Sequence, residues 1–345
     1  LIYKNNIKNS VKSTYNYNTL LQMNYPKCAV SFMNFCLSDK VLLSKYLTHV
    51  SGKSVRPFDV TLRDGLQALS VEHQASFTTE RKREMYYEIV RKHNPKQLEI
   101  GSCINYKVLP IFSDTRQLFE RVNRTNTFDN YVLVPNEDQL LQAISFGVTK
   151  FSFITSLSNS FQLKNTRMTL KDNFSRLTNM MLLLDDFRLT KQQPFGVKLY
   201  VSCINECPIE GHIPVQDVVQ KLVDLRNTLN PDTMCLSDTC GTLNPTTFWQ
   251  ILKGLKTNRF DESKLSLHLH VPPDREKDVE KIMHLALDHG IAEFDVSDLQ
   301  SGGCSVTMEA SKLAPNMSYE QYYKFLATYL MQKRDSAFRQ RQFIS

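Results

Sequence analysis

A closed barrel of eight parallel strands, each followed by a helix, is the fold this 345-residue sequence predicts. Eight short apolar or β-branched runs recur after residue 55, and most of the gaps between them carry a helical period. Strands alternating with helices imply a parallel sheet, and eight such repeats imply its closure into a (β/α)8 or TIM barrel. The alternative, an open doubly wound sheet, is disfavoured because no Gly-x-Gly-x-x-Gly follows any run.

Taken in order, the runs fall at 57–61, 97–101, 130–134, 150–155, 196–202, 233–237, 265–270 and 291–297. Helical patterns occupy 79–92, 137–146, 169–188, 214–229, 246–257 and 275–289, and an elaborated loop precedes the third of these. With only 11 glycines for so many turns, Asn and Ser are expected to stand in at some of them. The barrel domain is placed at residues 53–332, between an N-terminal extension (1–52) and a C-terminal tail (333–345). The extension is rich in Asn, Tyr, Ser and Lys, and is expected to be disordered or loosely helical, with a helix around 38–49.

The net charge of +7 lies entirely in residues 1–56, which hold eight basic residues and one acid, Asp39. The remainder balances 34 basic against 34 acidic residues, so no basic groove for nucleic acid is indicated. The cationic segment from Glu80 to Lys92 contains Glu84 and Glu88 as well and reads as a solvated helix face. No apolar stretch is long enough to span a membrane. The eight cysteines read as reduced thiols of a cytoplasmic protein, or of a mitochondrial-matrix protein if the basic, acid-poor extension is a transit peptide. Cys203 and Cys207 have a spacing that zinc could use, but no second pair at finger spacing accompanies them.

Chemistry in such a barrel sits at the C-terminal ends of the strands. The first strand ends in Arg63-Asp64-Gly65, the second carries Glu99, and the sixth ends in Ser237-Asp238-Thr239. The seventh carries His268 and His270, which, two residues apart on a strand, face the same way. Two imidazoles and the Asp64 carboxylate can hold a divalent ion and leave positions open for substrate.

These blocks resemble the 3-hydroxy-3-methylglutaryl-CoA lyase family, over about residues 55–330. Thr61-Leu62-Arg63-Asp64-Gly65-Leu66-Gln67 is similar to its first motif. Leu98-Glu99-Ile100, Tyr131 to Asn136, Tyr200-Val201-Ser202-Cys203 with Cys207 to Gly211, and Leu236 to Gly241 resemble the second, third, fifth and sixth. Gly302-Gly303-Cys304 resembles the family's glycine loop bearing a catalytic cysteine. Two features depart from the pattern. The family follows its second metal histidine with Asp and a nearby Gly, whereas Val271-Pro272-Pro273-Asp274 stands here, and Ser305 replaces a proline after Cys304. The family's asparagine ligand is matched by Asn316 if the segment from Cys304 is about three residues longer than usual; counted without that insertion, the position is Leu313.

The resemblance implies Mg2+ or Mn2+ held by Asp64, His268, His270 and Asn316, an acyl-CoA thioester as substrate, and a homodimer. It also implies Arg63 as the group that stabilises the enolate, with Glu99 orienting it or a metal-bound water. Asp238 or His268 would act as base and Cys304 as acid. Two further readings are weighed beside the lyase. One is a condensing acyltransferase of the isopropylmalate or citramalate synthase type, against which Leu66 argues, since those relatives carry an acid or Asn there. The other is a catalytically degenerate barrel that only binds, which the two prolines and the shifted asparagine would favour.

Overall fold

The computed structural model describes Leu43 and residues 54–123, 128–303, 307–309 and 313–342. Leu43 apart, the N-terminal extension and its expected helix lie outside the described residues; Leu43 itself is buried in the main hydrophobic core. Eight parallel strands close on themselves in sequence order. They are β1 (Arg56–Asp59), β2 (Gln97–Ser102), β3 (Asp129–Leu133), β4 (Lys150–Ser156), β5 (Gly196–Ser202), β6 (Thr233–Ser237), β7 (Leu265–His268) and β8 (Glu293–Val296). Closure is made by β8 against β1, with Arg56 opposite Glu293 and Asp59 opposite Val296. The fold is therefore the TIM barrel that the strand–helix rhythm implies. Between β5 and β6, Glu206–Cys207 and Gly211–His212 pair as a small hairpin at the strand end.

The outer ring comprises α1 (Thr79–His93), α2 (Thr115–Val122), α3 (Glu137–Ser145), α4 (Leu170–Lys191), α5 (Val215–Leu229), α6 (Pro245–Thr257), α7 (Glu276–Asp288) and α8 (Tyr319–Gln342). Side-chain caps start several of them: Thr78, Asn136, Thr169 and Asn244 each accept from the third following N–H. At the other end, Asn94 and Asn230 take the left-handed conformation at φ 48° and 45°, where glycine is usual, so Asn does replace it. The α1 pattern holds with one exception. Lys82 is buried and pairs with Asp114 at 2.6 Å, while Arg81 and Arg83 lie in solvent beside Glu84 and Glu80. Helix α2 carries no sequence expectation, because eight residues give barely two turns of periodicity. Helix α8 runs on to Gln342, through the point where the C-terminal tail was placed.

Strand β1 is shorter than its apolar run suggests. Residues Thr61–Gly65 wind into one wide helical turn, closed by the Gly65 N–H on the Val60 carbonyl at 3.1 Å. Asp59 sets that turn up, accepting from the Thr61 N–H and hydroxyl at 3.0 Å each, and from the Tyr319 hydroxyl at 2.9 Å. Burial pushes the Asp59 carboxyl up to about 7 against the opposing pull of those donors. The acid thus holds its proton more tightly in the folded than in the unfolded chain. Its contribution to stability is fully present below its ordinary value of 3.8 and is lost as the pH rises through about 7. Asp59→Asn is expected to raise stability at neutral pH by on the order of 3 kcal/mol and to flatten that loss, as urea-unfolding midpoints across the pH range would show.

Candidate active site

The wide turn after β1 delivers Arg63 and Asp64 to the barrel mouth, both buried. Across the mouth, β7 delivers His268, and the following turn delivers His270, their rings 5.0 Å apart and nearly perpendicular. Ligand atoms of Asp64, His268 and His270 all lie within 4.8 Å of one another, the one such group of His, Cys, Asp or Glu among the described residues. Cys203 and Cys207 form no such group there. Asn316 joins this trio. Its bridge to His270 and its amide, donated to Asp64 Oδ2 at 2.8 Å, bring it alongside. Leu313, the position counted without the insertion, instead sits against Gly303, outside the ligand cluster. Gly302 is needed here, because a Cβ would come within 2.6 Å of the Asn316 backbone nitrogen.

The donors suit a hard divalent cation. His270 Nδ1 donates to the Asp238 carbonyl at 2.8 Å, which leaves Nε2 as the lone-pair nitrogen. Burial, reinforced by the neighbouring His268, lowers the His270 pKa to about 4, so the ring is neutral near pH 7. For Asp64, burial works upward, but Arg63, the two imidazoles and the Asn316 amide together hold the carboxyl below the usual range. His270 Nε2 and Asn316 Oδ1 are buried with no hydrogen-bond partner among the described residues. Two orphaned lone pairs beside a carboxylate are costly unless a cation takes them. The prolines after His270 do not displace it: Val271 N–H bonds the Pro315 carbonyl at 2.8 Å and Arg275 N–H closes a turn onto Pro272.

Arg63 is fixed from two sides, by Glu99 at 2.5 Å and Asp64 at 2.6 Å, with its guanidinium over the Tyr200 ring at 5.2 Å. Burial alone would lower its pKa, but the two carboxylates keep it charged. Glu99 is fully buried behind Arg63 and also accepts from the Tyr200 hydroxyl at 3.2 Å, so it orients the guanidinium and does not line the cavity.

The two candidate bases sit differently from one another. Asp238 does not face the cavity. Its carboxylate oxygens accept the Thr242 and Leu243 N–H groups at 3.1 and 3.0 Å and hold the loop after β6 in place, while burial raises its pKa to about 6. His268 Nδ1 donates to Asp295 at 3.0 Å, which leaves the lone pair on Nε2, 3.8 Å from Asp64. A cation bound beside Asp64 would take that lone pair and leave none for a base. Cys304 lies outside the described residues; Gly303 before it lines the cavity.

Sequence reasoning misses Asp295 and the group behind it. Lys198, buried inside the barrel, contacts Asp295 at 2.5 Å and Glu293 at 3.1 Å. Burial opposes ionised Asp295, but Lys198 and the His268 hydrogen bond keep its pKa low. The signal was present: Glu293-x-Asp295 and Lys198-x-Tyr200 place charged or polar groups two apart in apolar strands, where they must face one another across the barrel.

A cavity of about 390 Å³ opens on Arg63, Asp64, His268 and His270 from one side, and from the other on a mixed wall that includes Ile104, Leu133, Ile154 and Leu177 beside Asn136, Gln139 and Arg176. A family model described as HMGL-like matches residues 54–273, a segment that includes Arg63, Asp64, Glu99 and both histidines. The mitochondrial hydroxymethylglutaryl-CoA lyase of Arabidopsis thaliana is 27% identical over 262 residues, 75% of this chain and 52% of that protein. The chain thus spans about half the length of that relative. Among solved structures, a hydroxymethylglutaryl-CoA lyase from Pseudomonas aeruginosa superposes with a TM-score of 0.67 at 22% identity, over 79% of this chain and 84% of that one. An HMG-CoA lyase from Acinetobacter baumannii, solved with coenzyme A and 3-methylmalate, gives 0.63 at 23%, over 76% and 80%. At those identities the structural likeness speaks for the fold, and the family rests on the model match. This chain belongs to the HMGL-like family.

Proposed function

We propose that the protein is a divalent-cation-dependent lyase that cleaves 3-hydroxy-3-methylglutaryl-CoA to acetyl-CoA and acetoacetate. The observation that carries this reading is the buried set of Asp64, His268, His270 and Asn316 beside the Arg63 guanidinium at one cavity wall. Those four residues would hold Mg2+ or Mn2+, which when bound supplies Lewis-acid polarisation of the tertiary hydroxyl and lowers its pKa. The hydroxyl proton would pass to solvent water at the open mouth, the C2–C3 bond would break, C3 would become the ketone of acetoacetate, and the electron pair would pass to the thioester as an enolate. Arg63, held rigid by Glu99, offers its positive charge to that enolate. We assign the proton that completes acetyl-CoA to Cys304, which follows the cavity-lining Gly303 directly in sequence.

A coenzyme A thioester as substrate is supported by the names of the relatives and by the coenzyme A complex of the Acinetobacter structure. From cysteine usage we also propose a cytoplasmic location, or a mitochondrial-matrix one if the basic N-terminal extension is a transit peptide. Purified protein with Mg2+ and the thioester is expected to release acetoacetate, to stop on addition of EDTA, and to resume when excess Mg2+ is restored. Condensation of acetyl-CoA with a 2-oxo acid, in place of acetoacetate release, would assign it to the synthases.

A further inference from the structure

We propose that Ser301 is a positioning residue for the cation, holding Asp64 and Asn316 at the separation one ion needs; the inference rests on the cation site proposed above. The ligands come from three segments of the chain. His268 and His270 stand at the end of β7, Asp64 lies in the wide turn after β1, and Asn316 sits in the stretch 315–318 before α8. One edge of that stretch is fixed on the β7 side: Val271 N–H donates to the Pro315 carbonyl at 2.8 Å, and Met317 N–H to the Leu269 carbonyl at 3.2 Å. Its other edge lies on the loop after β8. There Ser297 N–H donates to the Met317 carbonyl at 3.0 Å, and Asn316 N–H to the Ser301 carbonyl at 3.3 Å. Asn316 is thus wedged between the ends of β7 and β8.

The same loop ties Asp64 into this frame. Asp298 N–H donates to the Thr61 hydroxyl at 2.9 Å, and the Ser301 hydroxyl donates to the Gly65 carbonyl at 2.8 Å. Those two contacts bracket Arg63 and Asp64. The loop also packs closely on the turn, since a Cβ on Gly65 would come within 2.9 Å of Ser297 Oγ. Among the described residues of the loop, Ser301 is the one bonded both ways, by its hydroxyl to the turn of Asp64 and by its carbonyl to the backbone of Asn316. The direct bond between the two ligands, from the Asn316 amide to Asp64 Oδ2, joins the very groups that a cation draws on. Ser301 touches neither ligand side chain, so its bonds stay available when the ion is bound. Loss of an outer hydrogen bond of this kind weakens metal affinity about 10- to 100-fold. The Thr61 contact and the Asn316–Asp64 bond survive removal of the Ser301 hydroxyl, so the lower end of that range is expected.

The test titrates the full chain with Mn2+ and reads binding by electron paramagnetic resonance, which needs no substrate and no turnover. Ser301→Ala is expected to raise Kd about tenfold. Ser301→Thr keeps the hydroxyl and should bind like the parent protein; Ser301 borders a groove outside the mouth with Gln300, Leu313 and Pro315, so the added methyl has room. Ser301→Val, matched to threonine in shape but without the hydroxyl, should bind like the alanine variant. Urea unfolding without the cation separates the two roles, because a merely structural serine would lower the midpoint and leave Kd of the folded protein unchanged. The threonine–valine pair decides the matter if the alanine variant does not fold. Parent-like affinity in the variants that lack the hydroxyl, or equal weakening in Ser301→Thr and Ser301→Val, overturns the positioning role and leaves the cation site standing. A parent protein that binds no Mn2+ overturns both.

Discussion

Replacing Asp64 by alanine is expected to lower turnover of the thioester by about a thousandfold or more and to strip the bound cation. Asp64 is the only carboxylate among the described residues lining the cavity, and of the other donors the Asn316 amide and His270, whose pKa burial lowers to about 4, are neutral near pH 7. Its loss removes the negative charge that offsets a dication and one of two partners of the buried Arg63. Breaking a buried charge pair from one side costs about 3–5 kcal/mol, which in an equilibrium constant is two to three powers of ten or more. Metal content by elemental analysis and initial rates of acetoacetate release check both halves. Stoichiometric cation with undiminished turnover in the variant would remove Asp64 from the site. Loss of turnover with cation retained would instead confine it to setting the position of Arg63.

That site was legible in the sequence to the extent that strand periodicity carries it. His268-x-His270 on an apolar run has to project both rings into the mouth, and Arg63-Asp64-Gly65 has to fall at a strand end. Asn316 is set by a loop whose length no periodicity measures, and it entered through a family resemblance; only the hydrogen bond to Asp64 places it. Asp238 shows the opposite failure. It stands at the end of β6 among polar residues, yet its carboxylate turns to the N–H groups of Thr242 and Leu243. Position at a strand end says which rim a residue reaches, whereas hydrogen-bond competition from the loop beyond decides where it points. The β8 acids were hidden for another reason: inside a barrel a charge is tolerated only with its partner, and Lys198 is about a hundred residues earlier in the chain.

Replacement of that lysine by methionine should therefore be the most damaging change away from the mouth. Lys198 Nζ lies 2.5 Å from Asp295, 3.1 Å from Glu293 and 3.4 Å from the centre of the Phe58 ring, and its side chain is 1% exposed. Methionine keeps the volume and the contact with Phe58, so the cost is electrostatic: two buried carboxylates, two apart on β8, lose their shared cation. A loss of about 3–5 kcal/mol in urea unfolding is expected. Cation affinity should fall about 10- to 100-fold as well, because Asp295 is what orients His268 from behind. Lys198→Arg restores the charge and should recover most of the affinity. In Lys198→Met combined with Glu293→Gln, one stranded charge is gone, so stability should return in part while cation affinity stays low. Recovery of both together would mean that the lysine supports the barrel without positioning the histidine. Separation of the two would show that a charge pair deep in the barrel sets the geometry of a ligand at its mouth.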